Sequence, residues 1–327
     1  MRLITFVIPD GTPGSRAGVL LPGGDVLDIA AADPDLPADL LSILRLGQEG
    51  LDAVAVAWRR VIARGGEPRD GTAVTHRRGA VRLLPPLPRP NSIRCFSLIE
   101  EHMLAAIETL TTKMGDQAPA ISAIPAEWYN LPAYFKKNPD EVYGPDDEVP
   151  WPAMTAKLDF EFELAAVIGK TGRNLTAEQA REHIAGYTIF NDWSARDYQQ
   201  REMSVNLGPG LCKDFASSLG PAIATPDEFA PDSSPLSVRV DGELWKRGTA
   251  KMRIDFAEVI ASVSSVQTVH PGDVLTSGTI GGGAGIESDR WIREGSVVEF
   301  EAEGIGVLRN TVGKRGAAVA LPASQRL

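Results

Sequence analysis

The sequence predicts an α+β fold that is mostly β, with a smaller N-terminal α/β domain before a larger C-terminal domain. Short apolar runs separated by Gly or Pro turns recur along the chain, whereas helical spacing of apolar residues is confined to a few short segments. A chain of 327 residues has room for about two domains. The run 85–90 contains four prolines, which are stiff and donate no hydrogen bonds. We therefore place the domain boundary there, which gives domains of residues 1–90 and 91–327.

Composition restricts the class of protein and its partners. Hydrophobic residues make up 43% of the chain and charged residues 23%, as in ordinary soluble globular proteins. The formal net charge of −10 argues against nucleic acid or an anionic membrane as a partner. The first apolar run is too short for a signal peptide, and the two cysteines form neither a disulfide framework nor a zinc-binding spacing. We therefore expect a cytoplasmic protein.

The N-terminal ninety residues predict a small antiparallel β-unit with two helices. Apolar runs at 3–8, 17–21 and 26–29 alternate with Gly or Pro turns, a pattern typical of short strands. Between 37 and 64 the apolar residues fall at helical intervals, which predicts two short helices. A further strand is predicted at 80–84.

The next segment predicts one helix and then a lid. Residues 99–107 have a helical apolar stripe, and His102 lies away from the centre of that stripe. Residues 115–157 carry few periodic signals and many Pro, Gly and Asp. A loop of this length in a compact domain is typically functional. Because aromatic residues at 128, 129, 134 and 135 could pack it down, we expect a lid at about 103–157.

The rest of the chain is rich in predicted strands. A capping box at Thr176 starts a helix, and a strand at 186–190 leads into Asp192. Ser194 and Asp197 form another capping pattern before a short helix. Strands at 236–240 and 243–246 flank an Asp-Gly hairpin turn. A helix follows at 255–262, and strands are predicted at 274–276 and 297–303.

The strongest chemical signal is the acidic strand at 158–164. Apolar side chains point to one face, and Asp159, Glu161 and Glu163 point to the other. Carboxylates that alternate along a strand lie roughly 6–7 Å apart, so flexible side chains can converge on one point. Oxygen ligands of this kind suit a hard divalent cation such as Mg²⁺, Mn²⁺ or Ca²⁺. With Asp192 at the end of the following strand, Glu161 and Glu163 would form a three-carboxylate site.

Other motifs are less decisive. Arg196 and Lys213 could pair with a substrate carboxylate, although in isolation surface charge is the favoured interpretation of both. The glycines at 281–283 lack the spacing of a nucleotide-binding loop, and the chain has no Gly-x-Ser-x-Gly motif.

Four segments together resemble the fumarylacetoacetate hydrolase family over roughly residues 91–315. They are DFEFEL at 159–164, NDWSARDYQ at 191–199, LGPGLCKDF at 207–215 and SGTI at 277–280. The resemblance implies a mixed β-sandwich roll for the C-terminal domain and a homodimer. It also implies a divalent metal on Glu161, Glu163 and Asp192.

The resemblance further implies cleavage of a C–C bond in a β-diketo acid or an acylpyruvate. His102 matches the general base of the family and Glu287 its partner carboxylate. Three residues match those that hold the leaving group or stabilise its charge, and two match substrate-binding positions. The first three are Arg196, Gln199 and Lys213, and the other two are Tyr134 and Thr279.

One departure from the family concerns Cys95, which stands where the hydrolase subgroup has an aspartate ligand. A thiol is a soft ligand, so we expect Mg²⁺ or Mn²⁺ on three carboxylates, with Ca²⁺ less suited. The same fold also supports decarboxylases, isomerases and hydratases of 2-oxo acids, and these remain alternatives. A catalytically silent family member that binds a metabolite is a further alternative.

Overall fold

The computed structural model describes residues 1–9, 14–63, 73–114, 123–205 and 207–317. The strands are β1 (Arg2–Val7), β2 (Arg16–Leu20), β3 (Val26–Asp28), β4 (Thr75–His76), β5 (Arg82–Leu84), β6 (Ser92–Phe96), β7 (Tyr134–Lys137), β8 (Val142–Tyr143), β9 (Glu148–Trp151), β10 (Leu158–Asp159), β11 (Phe162–Ile168), β12 (Ile184–Asp192), β13 (Ser194–Ala195), β14 (Ser217–Ala224), β15 (Leu236–Val240), β16 (Glu243–Gly248), β17 (Asp273–Thr276), β18 (Val297–Ala302) and β19 (Gly306–Arg315). The helices are α1 (Ile29–Ala32), α2 (Leu40–Arg45), α3 (Gln48–Ala63), α4 (Glu100–Met114), α5 (Glu127–Asn130), α6 (Ala177–Arg181), α7 (Arg196–Met203), α8 (Leu211–Asp214) and α9 (Phe256–Val266). Within these ranges, every helix is too short or too polar to cross a membrane.

Two sheets packed face to face confirm the predicted α+β, mostly β class. The large sheet has the order β4-β3-β2-β1-β14-β12-β11-β17-β6-β7, with β5 paired to β1 and β8 to β14. The second sheet has the order β16-β15-β18-β19-β9. The rings of Phe162 on β11 and Phe300 on β18 stack with centroids 4.4 Å apart, within the core that joins the two sheets. A second core lies between the large sheet and helices α1–α3.

The N-terminal strands extend the large sheet. Strand β1 pairs with β14 and with β2, and its Leu3 lies in the same core as Ile93 and Ala165. The two helices predicted between 37 and 64 are α2 and α3, separated at Gly47, whose φ of +66° ends the first helix. The predicted boundary at 85–90 lies between β5 and β6, and the division into two domains stays a prediction.

The structure corrects the expectation of a long irregular loop at 115–157. Residues 115–122 lie outside the described residues, but the remainder contains α5 and strands β7, β8 and β9. These strands pair with β6, β14 and β19 respectively. They are two to four residues long, too short for an alternating pattern to be recognised in the sequence. Movement of this region as a lid stays a prediction.

The acidic segment predicted as one strand at 158–164 is divided into β10 and β11, which lie in different sheets, and it is buried on both faces. Phe160, Phe162 and Leu164 are fully buried in the core between the sheets, as their alternation predicts. On the other face, Ala165 and Val167 lie in the second core. A strand covered on both sides places its carboxylates in the protein interior, where ionised groups need partners.

Candidate active site

Three carboxylates converge where β11 and β12 meet. Glu163 lies on β11, Asp192 ends β12, and Glu161 precedes β11, with its carbonyl accepting a hydrogen bond from the backbone N–H of Asp192 at 3.1 Å. One oxygen from each carboxylate lies within 4.8 Å of the other two. The residues are 6%, 2% and 1% exposed for Glu161, Glu163 and Asp192 respectively. The structure therefore brings together the three predicted metal ligands, and such a buried triad could hold a metal ion.

Cationic side chains partly neutralise this cluster. Lys213 Nζ lies 2.6 Å from Glu161 Oε2 and 2.8 Å from Asp192 Oδ2, and it donates to Ser194 Oγ at 2.6 Å. Burial disfavours the ammonium, but the carboxylates of Asp192 and Glu161 outweigh burial and raise the pKa of Lys213. Lys137 is fully buried and also pairs with Asp192, while donating to the carbonyl of Ala216 at 2.7 Å.

Glu161 and Glu163 differ in their electrostatics. Burial disfavours ionised Glu161, but Lys213, Arg196 and His102 outweigh it and hold the pKa of Glu161 well below its usual value. Glu163 has the opposite shift, because burial and repulsion from Asp192 and Glu161 raise the pKa of its carboxyl well above its usual value. Glu163 Oε2 is buried without a hydrogen-bond partner within the described residues.

The donor set fits a divalent cation. The hydroxyl of Ser217, which is opposite Asp192 on β14, is also buried without a protein partner in the described residues. By formal charge, with every carboxylate ionised and histidine uncharged, five carboxylates face three cationic side chains, which leaves two negative charges. The carboxylates are Asp159, Glu161, Glu163, Asp192 and Glu287, and the cations are Lys137, Arg196 and Lys213. One divalent cation would balance that charge, and the unsatisfied oxygen of Glu163 would become a ligand.

The predicted base and its partner are in contact. His102 Nδ1 lies 2.9 Å from Glu287 Oε1, and His102 Nε2 lies 4.0 Å from Glu161 Oε1. Glu287 ends a 3₁₀ turn, Gly285–Glu287, and its carboxylate also accepts the backbone N–H of Gly282 at 2.5 Å. The Thr109 hydroxyl donates to the Glu287 carbonyl at 2.8 Å, which ties α4 to this turn. His102 therefore presents one nitrogen to Glu287 and the other to the carboxylate cluster.

Arg196 and Gln199 lie together at the start of α7. Arg196 Nη1 is 2.7 Å from Glu161 Oε1 and donates to Gln199 Oε1 at 3.0 Å. Helix α7 begins at Arg196 without a side-chain cap, so the capping role predicted for Ser194 is wrong. Ser194 instead lies on β13, where it accepts from Lys213 and donates to the Asp192 carbonyl at 2.9 Å. The Ser194 hydroxyl therefore forms hydrogen bonds within the carboxylate cluster and does not cap α7.

The two predicted substrate-binding residues differ in position. Thr279 is buried in a loop beside β11, since its neighbour Ile280 donates to the Phe162 carbonyl at 2.9 Å. Tyr134 packs against Phe96, and its hydroxyl accepts from Gln267 at 3.2 Å. Side chains alternate along β7, so Tyr134 lies on the face opposite Phe135, whose ring is 5.7 Å from Lys213 Nζ. The structure thus separates Tyr134 from the cluster, and its role stays a prediction.

Cys95 lies beside the cluster as a neutral thiol. It is 1% exposed on β6, and burial together with the charges of Asp192 and Glu163 raises its pKa well above the usual value. The group of described side chains within ligand distance of one another contains the three carboxylates and not Cys95.

The sequence did not indicate Lys137 as a residue of the site, and it did not indicate the role of Asp159. Lys137 stands in a short strand beside Lys136, where a lysine pair predicts surface charge. Its burial depends on the distant carboxylate of Asp192, which no local pattern reports. Asp159 was grouped with the acidic face, but it contacts Arg196 at 2.8 Å and is not in the carboxylate triad.

The chain resembles known proteins in both sequence and fold. A family profile described as fumarylacetoacetate (FAA) hydrolase C-terminal matches residues 105–313. The human protein named oxaloacetate tautomerase FAHD2A, mitochondrial, is 32% identical over 317 residues, covering 95% of this chain and 91% of that protein. A fumarylacetoacetate hydrolase from Exiguobacterium antarcticum superposes with a TM-score of 0.70 at 31% identity, covering 96% of this chain and all of the other. A 5-carboxymethyl-2-hydroxymuconate delta-isomerase from Mycobacterium smegmatis gives a TM-score of 0.67 at 25% identity, covering 97% of this chain and all of the other.

Proposed function

Because the chain belongs to the fumarylacetoacetate hydrolase family, we propose that it is a metal-dependent enzyme that interconverts the enol and keto forms of a small 2-oxo dicarboxylic acid. Oxaloacetate is the first substrate to test, since it is named for the human relative. The observation that carries the proposal is the His102–Glu287 contact of 2.9 Å, with the second nitrogen of His102 facing the carboxylate cluster. A histidine held in this way can carry a proton between two atoms of a bound substrate.

Glu161, Glu163 and Asp192 would hold Mg²⁺ or Mn²⁺, with Ca²⁺ less suited to three protein ligands. Such a cation polarises substrate oxygens as a Lewis acid. This would favour the enolate, which is the common intermediate between the two forms.

The remaining residues supply the proton transfer and the anion site. His102 would accept a proton at Nε2 and return it, while Glu287 stabilises the imidazolium at Nδ1. Arg196, supported by Gln199, would bind a substrate carboxylate, and Lys213 would stabilise negative charge that develops on oxygen. Each of these groups is buried or half-buried, so its charge acts at short range with little screening by water.

The test is the rate at which enol oxaloacetate is converted to the keto form, followed by ultraviolet absorbance with Mg²⁺ present. His102→Ala should lower kcat by about 10²–10⁴-fold and leave metal affinity nearly unchanged, because no ligand is lost. His270→Ala, which alters an exposed histidine on a turn, is the matched control and should retain the wild-type rate. A His102→Ala enzyme with the wild-type rate would contradict the proposal.

Hydrolysis of a C–C bond in an acylpyruvate is the second candidate. The same His102–Glu287 contact favours it, because a histidine with this support can also take a proton from water. Reaction of an acylpyruvate in ¹⁸O-labelled water distinguishes the two, since hydrolysis places the label in the released carboxylate. Products of oxaloacetate identified by mass spectrometry would reveal a decarboxylase, and a chain that turns over neither substrate would be a silent binding protein.

The oligomeric state and the cellular location of the protein are also proposals. We infer a homodimer from membership of the family, and sedimentation analysis of the full chain would test it. The human relative is named as mitochondrial, whereas the sequence of this chain led us to expect a cytoplasmic location. Fractionation of cells that express the protein would distinguish the two locations.

A further inference from the structure

Asp159 is a buried carboxylate that joins two separate parts of the candidate site. It is 0% exposed. Its Oδ2 accepts from Arg196 Nε at 2.8 Å and from the backbone N–H of Ile286 at 3.1 Å. Its Oδ1 accepts from the backbone N–H of Gly285 at 2.8 Å and from that of Phe160 at 2.9 Å. One side chain therefore holds both α7 and the turn Gly285–Glu287.

Arg196 and the turn Gly285–Glu287, which both contact Asp159, have different roles in the proposed reaction. The Nε edge of Arg196 faces Asp159, which leaves Nη1 directed at Glu161 and Gln199. The turn Gly285–Glu287 presents the carboxylate that contacts His102. A shift of Asp159 would move the anion-binding guanidinium and the proton-transfer pair together.

The turn approaches Asp159 so closely that a side chain cannot be accommodated there. A Cβ built on Gly285 would lie 2.6 Å from Asp159 Oδ1 and 2.1 Å from the carbonyl oxygen of Arg290. Such distances are well inside van der Waals contact. The glycine at 285 thus allows the direct backbone contact with Asp159.

We propose that Asp159 is a positioning residue that fixes Arg196 relative to the His102–Glu287 pair, and so sets both substrate binding and proton transfer. This inference rests on the proposed function for the roles of Arg196 and Glu287. An ordinary structural carboxylate would affect stability alone. A positioning residue must change KM through one partner and kcat through the other.

The first experiment uses Asp159→Asn, which keeps the shape and removes two of the acceptor positions. We expect KM for oxaloacetate to rise and kcat to fall, each by about 10-fold or more, because charge-assisted hydrogen bonds are lost on both sides. Asp197→Asn is the matched control. Asp197 is also on α7, but it accepts from the Thr155 hydroxyl and from the backbone N–H of Ala156 at 2.8 Å. Both constants of that variant should stay within about threefold of wild type.

Double-mutant cycles separate the two effects. In an Arg196→Ala background, Asp159→Asn should no longer raise KM, and in a Glu287→Gln background it should no longer lower kcat. Additive effects in both backgrounds, or constants of Asp159→Asn within twofold of wild type, would overturn the inference. If Asp159→Asn does not fold, Gly285→Ala is the second variant, because its Cβ would push the turn away from Asp159 Oδ1 and from the carbonyl of Arg290. It should lower kcat with KM within about twofold, and an unchanged kcat would overturn the inference.

A measurement independent of turnover distinguishes failure of this inference from failure of the proposed function. Hydrogen exchange of the 283–290 segment should be faster in Asp159→Asn than in Asp197→Asn, because the amides of Gly285 and Ile286 bind different oxygens of Asp159 and one of them loses its acceptor. Oxalate, a planar dianion that resembles the enolate, should bind about 10-fold more weakly to Asp159→Asn. A wild type that turns over neither oxaloacetate nor an acylpyruvate would refute the proposed function. Unchanged exchange and oxalate affinity would refute the role of Asp159.

Discussion

Substitution of Glu163 by Gln should raise the stability of the metal-free protein and remove most of the stabilisation that a bound metal provides. Glu163 Oε2 is buried without a partner among the described residues, and burial with repulsion from Asp192 and Glu161 raises the pKa of this carboxyl. A group with a raised folded pKa contributes stability that is present below its unfolded pKa and lost as the pH rises through the folded pKa. Above the folded pKa the wild type carries the full cost, and Gln removes it.

The size of the increase in Tm with metal follows from the linkage between metal binding and folding. A cation at about 100 times its Kd stabilises the folded protein by about 2.7 kcal/mol, which is about 5–10 °C in Tm for a large domain. Glu163→Gln should lose most of this increase, because one of the three ligand charges is gone. In EDTA at pH 8 the variant should be the more stable protein. That difference should shrink as the pH is lowered through the raised pKa of Glu163, since protonation relieves the same repulsion in wild type.

Thermal unfolding with Mg²⁺ and with EDTA, at several pH values, measures the increase in Tm with metal, the difference in stability between the two proteins in EDTA, and the dependence of that difference on pH. Glu301→Gln makes the same change at an exposed carboxylate on β18 and should follow wild type under every condition. A wild type whose Tm does not respond to any divalent cation would refute the metal site. So would a Glu163→Gln variant that is destabilised in EDTA and still gains the full Tm increase with metal.

Two further predictions concern the neighbours of the triad. Cys95→Ser should change Mg²⁺ or Mn²⁺ affinity by less than about tenfold, roughly 1.4 kcal/mol, because the neutral thiol lies outside the ligand group. A loss of several hundredfold in calorimetric titration would instead show that Cys95 is a ligand. Lys137→Met should lower the free energy of unfolding by about 1–3 kcal/mol in urea titrations, because Asp192 loses one buried cation but keeps Lys213. An unchanged free energy of unfolding would show that the contact between Lys137 and Asp192 contributes nothing to stability.

The fold could be predicted largely from local patterns and family motifs. The hairpin at Asp241-Gly242 formed as expected, with both residues at positive φ, and Thr176 caps α6 as its sequence indicates. Both features depend on residues within a few positions of each other. Strands β7–β9 could not be predicted, because their pairing with β6, β14 and β19 supplies the stability that their short sequences lack.

The site was predictable where a residue belongs to a motif and not where its role depends on distant partners. Glu161, Glu163 and Asp192 stand in two family segments, and the structure brings them within 4.8 Å. Lys137 is separated from its partner Asp192 by 55 positions, and Asp159 from Gly285 by 126. Neither pair leaves a periodic or spacing signal. Their roles followed only from burial and hydrogen bonding in three dimensions.

The choice between tautomerase and hydrolase depends on the substrate more than on these residues. Both proposed reactions would need an enolate, a base, for which we propose His102, and cations near the developing charge, so one arrangement would serve either. They differ at the carbon beyond the enolate. In an acylpyruvate that carbon is a neutral ketone, which water activated by His102 can attack. In oxaloacetate it is an ionised carboxylate, whose negative charge repels a nucleophile and leaves proton transfer or loss of CO₂ as the available steps. An enzyme with this site should therefore tautomerise oxaloacetate whether or not it also cleaves acylpyruvates, and an enzyme that cleaves acylpyruvates but does not accelerate oxaloacetate tautomerisation would contradict this argument.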